Sequence, residues 1–89
     1  MIKPTIGRIV WFTPSSFNDI RYDKTQPLAA MITYVHSDRC VNLAAHDQHG
    51  NLMTGCTSVK LLQEGDEKPA HGFYAEWMPF QVGQAKAAK

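Results

Sequence analysis

Apolar and polar positions alternate along most of this chain with a period of two, the signature of half-buried strands. Ile6 to Phe12 is rich in β-branched and aromatic residues and lies between Pro4 and Pro14, which predicts a first strand. Its faces are Ile6, Arg8, Val10, Phe12 and Gly7, Ile9, Trp11, and both carry apolar side chains. Gly7 predicts a bend or a close backbone approach early in that strand. Leu28 to His36 predicts a second strand, with Leu28, Ala30, Ile32 and Tyr34 opposite Ala29, Met31, Thr33 and Val35. After the polar turn Ser37-Asp38-Arg39, Cys40 to His46 predicts a third, with Val41, Leu43 and Ala45 opposite Cys40, Asn42, Ala44 and His46. Asp47-Gln48-His49-Gly50-Asn51 is a hairpin signal, with Gly50 placed for the left-handed conformation. A fourth strand is interrupted near Thr54-Gly55 and strongest at Thr57 to Leu62. Gln63 to Gly72 reads as a polar loop, and Phe73 to Trp77 as a short last strand.

Residues 13–27 show no sustained period and hold Pro14, Pro27 and a Ser/Asn/Asp cluster, so they form a long loop. Phe17, Ile20 and Tyr22 give it apolar side chains with which to fold back on the body of the domain. No segment carries a helical period of adequate length, and the end of the chain is too short and uncapped for a stable helix. These elements predict an all-β domain over residues 1–80 and a flexible C-terminal tail over 81–89. The architecture that fits is a small five-stranded SH3-like barrel with one long loop after the first strand. An OB-type barrel normally needs more residues and a helix between its third and fourth strands. The candidate core is Ile9, Val10, Ile32, Tyr34, Val41, Leu43, Val59 and Leu61, although neighbours such as Ile9 and Val10 compete for one face.

Size sharpens this picture. A chain of 89 residues supports one core and a narrow stability margin. Its two cysteines, with no secretory signal, do not suggest a disulfide framework, which leaves a tight barrel, self-association or both. A symmetric dimer is the expected oligomer. The formal charge of +1 disfavours a nucleic-acid binder working by bulk electrostatics. No apolar run approaches the roughly 20 residues of a transmembrane helix, so no membrane association is expected.

Candidate chemistry is sparse. The spacing Cys40-x₅-His46-x₂-His49-x₆-Cys56 matches no zinc pattern, so no metal or cofactor is expected. No serine or cysteine stands in a nucleophile motif, and the loop acids Glu64, Asp66 and Glu67 read as a solvated charge run. The expectation is therefore a protein that is not an enzyme. Aromatic residues are the more informative feature, because amphipathic rings gather at recognition surfaces. Closure of a barrel makes its first and last strands neighbours, which would bring Trp11 towards Trp77. Arginine beside such rings offers a planar fork for phosphate or carboxylate. Arg8, Trp11, Tyr22, Arg39 and Trp77 are thus the candidate binding residues, with the 13–27 loop as one wall. The competing reading makes Trp11 and Trp77 core or dimer contacts.

The set Gly7-Arg8-Ile9-Val10, Pro27-Leu28-Ala29-Ala30, Val41-Asn42-Leu43, Gly50-Asn51, Thr57-Ser58-Val59 and Trp77-Met78-Pro79-Phe80 resembles a widespread group of small proteins of tailed bacteriophages and prophages. The resemblance covers nearly the whole chain except the tail, and its motifs punctuate structure rather than mark catalysis. It implies phage origin and action in the host bacterial cytoplasm. The function expected on these grounds is a non-enzymatic binding module serving counter-defence, which captures a host protein or sequesters a nucleotide signal. A virion or assembly component is the first alternative, and a nucleic-acid-binding barrel the second.

Overall fold

In the computed structural model, residues 1–14, 26–53, 56–70 and 72–87 are described. The elements are β1 (Ile9–Thr13), β2 (Leu28–Ser37), β3 (Cys40–His46), β4 (Leu52–Met53), β5 (Val59–Leu62), β6 (Tyr74–Glu76) and α1 (Pro79–Ala87). The sheet runs β2-β1-β6-β5-β3-β4, and a further β2–β3 pairing closes it into a barrel. β4 and β5 lie in sequence along one edge of β3, pairing Met53 with Ala45 and Val59 with Val41. Between them the Leu43 N–H donates to the Cys56 carbonyl at 2.8 Å. They act as one interrupted strand, as the alternation predicts, so the ring is five-stranded.

An odd ring cannot be antiparallel throughout, because direction must alternate from neighbour to neighbour. The unavoidable parallel seam falls between β5 and β6, with Leu61 opposite Ala75. A parallel pair needs a crossover connection, and residues 63–73 supply it.

The core follows from period-two burial. Val10 and Phe12 come from β1, Leu28, Ala30 and Ile32 from β2, Val41, Leu43 and Ala45 from β3, and Val59 and Leu61 from β5. Ala75 and Trp77 complete it. Small Ala30, Ala45 and Ala75 share the core with bulky Phe12 and Trp77, the mix of sizes that a narrow barrel interior accommodates. Each fully buried Val, Leu, Ile or Phe contributes about 1.5–3 kcal/mol.

Two members of the candidate core point outward. Ile9 is 42% exposed, because Val10 and Phe12 take the inner face of β1. Tyr34 is 53% exposed, because a β-bulge between Ile32 and Tyr34 shifts the phase of β2. Val35 then packs against the core instead.

The C-terminal segment also differs from expectation, since Pro79–Ala87 is helical. Pro79 occupies the first helical position, where its missing N–H costs nothing. The Met78 N–H donates to Gln81 Oε1 at 2.8 Å, a cap formed from three residues downstream. Val82 packs against the barrel core, which adds the tertiary contact that a helix this short requires.

Polar side chains fix the turns. In the predicted hairpin Gly50 has φ +87° and its N–H donates to the Asp47 carbonyl at 3.0 Å. Asp47 Oδ1 accepts from the N–H groups of His49 and Asn51. Those backbone N–H groups, that of Asn51 foremost, hold the Asp47 carboxyl below the usual range. Asn42 Oδ1 accepts from the Ser58 N–H at 2.8 Å and meets His36 Nε2 at 2.9 Å. Gln63, buried in the crossover, donates to the carbonyls of Ile2 and Asp38 and accepts from the Ile2 N–H. That one amide ties the N-terminal segment to the β2–β3 turn.

Candidate functional site

Arg8 enters β1 through a turn in which Gly7 has φ +94°. The Gly7 N–H donates to the Ile32 carbonyl and the Ile32 N–H donates to the Arg8 carbonyl, both at 2.8 Å. This backbone ladder fixes where the arginine leaves the wall. Its guanidinium carbon lies 5.8 Å from the centre of the Trp77 ring. Such a cation over an indole is worth about 0.5–1 kcal/mol at an exposed site. Trp77 is itself 6% exposed and belongs to the core, with Nε1 buried and unpaired among the described residues. The arginine therefore lies over a structural ring.

Trp11 occupies the other side of the wall. Its backbone partners are Ala29 and Glu76, and with Val10 and Phe12 turned inward it faces out, half-buried. Adjacent strands do not bring the two indoles onto one surface, because the pleat sends them to opposite faces. Arg39 sits in the β2–β3 turn and is held by Asp66, with Nε 3.0 Å from Oδ2. That guanidinium, together with the Gln63 N–H, keeps the Asp66 carboxyl below the usual carboxylate range. Arg39 also accepts the Leu61 N–H at its carbonyl. Of the candidate residues, Arg8 and Trp77 meet, Trp11 is on the outer wall and Arg39 is paired elsewhere. Tyr22 lies outside the described residues, as does most of the 13–27 loop.

The outer wall holds what the linear reading missed. Ile9 and Met31 are direct cross-strand partners, 42% and 40% exposed, and Met31 is opposite Ala44 on β3. One pleat further along, Trp11 is opposite Ala29, and Leu52 extends the wall on β4 opposite His46. An apolar surface thus crosses neighbouring strands. Its signal was present in the alternation of β2, where Ala29 and Met31 oppose the core positions. The match to Ile9 and Trp11 needs the register.

Among the described residues no three or more His, Cys, Asp or Glu side chains come together as a metal site would require. Cys56 is buried, and that burial pushes its thiol pKa up and away from the nucleophilic thiolate. No helix among the described residues is long and apolar enough to cross a membrane. No family model matches the chain, and neither curated proteins nor solved structures show a significant match.

Proposed function

We propose that this small barrel is a non-enzymatic binding module, encoded by a bacteriophage, that acts inside the bacterial host by capturing a host protein in counter-defence. The observation that carries the reading is the apolar outer wall, with Ile9 and Met31 side by side and Trp11 one pleat away. Contiguous exposed apolar surface of this kind marks interaction sites on soluble domains. Tryptophan and methionine are the residue types enriched there. The setting is proposed from the resemblance of its motif set to small proteins of tailed phages.

The partner expected on this wall is a protein with its own apolar patch. The test is native mass spectrometry of the protein purified from bacteria expressing it, beside Met31→Asp. A host protein bound in fixed stoichiometry and lost in Met31→Asp supports capture. A homodimer alone, broken by the same substitution, assigns the wall to a second copy and overturns host-protein capture. Detection of the chain in purified virions at structural copy number overturns it in favour of an assembly role.

A further inference from the structure

We infer that a second, independent site lies in the groove between the N-terminal segment and α1, and that it binds a nucleotide-class ligand, a phosphate ester carrying a planar ring. The groove has a volume of about 810 Å³ and includes Lys3, Thr5, Arg8, Phe80 and Gln84 in its lining. Among the described residues no carboxylate lines it.

The charge distribution singles this groove out. Arg39 is neutralised by Asp66, and Lys68 by Glu76 at 3.4 Å. Lys3 and Arg8 have no carboxylate partner among the described residues, yet both face one groove. Two uncompensated cations on a chain of net charge +1 create a local positive field that an anion would relieve. The Arg8 guanidinium carbon lies 5.8 Å from the centre of the Trp77 ring. That contact with a π-system uses none of the guanidinium's hydrogen-bonding capacity for a carboxylate and leaves its N–H fork for an oxyanion. Phe80 is 73% exposed, so a flat ring is available for stacking. Thr5 and Gln84 add neutral hydrogen-bonding groups.

Both walls are fixed from behind. Gln63 binds the N–H and the carbonyl of Ile2, next to Lys3. Gln81 accepts the Met78 N–H and donates to the Ile9 carbonyl at 2.9 Å, which ties the start of α1, and so Phe80, to β1 beside Arg8. Cations and ring are therefore mounted on segments whose separation is set before any ligand arrives, which reduces the ordering cost of binding.

The experiment is titration of the folded protein with adenosine monophosphate, followed by calorimetry and by amide and side-chain NMR shifts, with adenosine and inorganic phosphate as half-probes. Shifts are expected at Thr5, Arg8, Phe80 and Gln84, with affinity falling as salt rises. Arg8→Gln should weaken binding about tenfold, the loss of a charge-assisted contact. Phe80→Ala, at an exposed position, should weaken it about fivefold or more without changing the fold. Absence of shifts at these residues at millimolar nucleotide overturns the site, as does an affinity that neither substitution changes. Phosphate binding as tightly as the nucleotide, with Phe80→Ala silent, overturns the nucleotide class. Met31→Asp, on the outer wall, should leave nucleotide affinity unchanged, and a loss there overturns placement in the groove.

Discussion

Gln63→Leu tests how the N-terminal segment is held. The substitution keeps the volume of a side chain that is 4% exposed and deletes three hydrogen bonds. These are the acceptance from the Ile2 N–H at 3.1 Å and the donations to the carbonyls of Ile2 at 2.9 Å and Asp38 at 2.8 Å. A neutral hydrogen bond contributes about 1 kcal/mol net, and the orphaned groups lie only partly out of water, so the sum is about 3 kcal/mol. Burial of the apolar leucine returns a fraction of this, leaving a loss of about 2–3 kcal/mol. A domain of this size holds about 4–13 kcal/mol in total, so the loss is a large share. Urea unfolding followed by tryptophan fluorescence should show the midpoint falling by about 2 M, for a slope near 1 kcal/mol/M. A chain lacking residues 1–3 supplies the control, because only the bond to Asp38 then remains. In that background the same substitution should cost about 1 kcal/mol, and the difference measures the coupling. A loss below about 0.5 kcal/mol in the full chain, or an equal loss in both backgrounds, refutes the clamp.

Three further outcomes follow from the same geometry. Phe12→Ala should cost about 3–5 kcal/mol, and Trp11→Ala far less despite its larger ring, in paired thermal melts, because only Phe12 fills the core. Stability should fall on acidification below about pH 4: the Asp66 and Asp47 carboxyls are lowered by folding, so the unfolded chain binds protons first, and their contribution is complete above that range and lost as pH drops through the folded values. Asp66→Asn should flatten that acid limb in a pH series of urea midpoints. A thiol reagent at neutral pH should modify half-buried Cys40 well before Cys56, whose rate should follow unfolding and rise with urea.

Much of the barrel was legible in local pattern because strand burial repeats every second residue, and a repeat needs no knowledge of distant partners. Val41, Leu43 and Ala45 were assigned to one face of β3 on that ground, and they are core. The hairpin around Gly50 and the division of one strand into β4 and β5 were readable for a similar reason, since turn chemistry is local. Tertiary structure decided what depends on register and long-range contact. Both faces of β1 are apolar, so only its pairing and packing could choose Val10 and Phe12 over Ile9 and Trp11. The bulge before Tyr34 broke a period that the sequence continues without interruption. α1 exists through the Gln81 cap and the packing of Val82, two contacts that helical periodicity does not report. The candidate site divides in the same way: aromatic and arginine residues marked the recognition chemistry, but which ring Arg8 would meet was decided by chain closure. A guanidinium and an indole separated by most of the sequence meet only when β6 pairs with β1, and that pairing is a property of the whole ring.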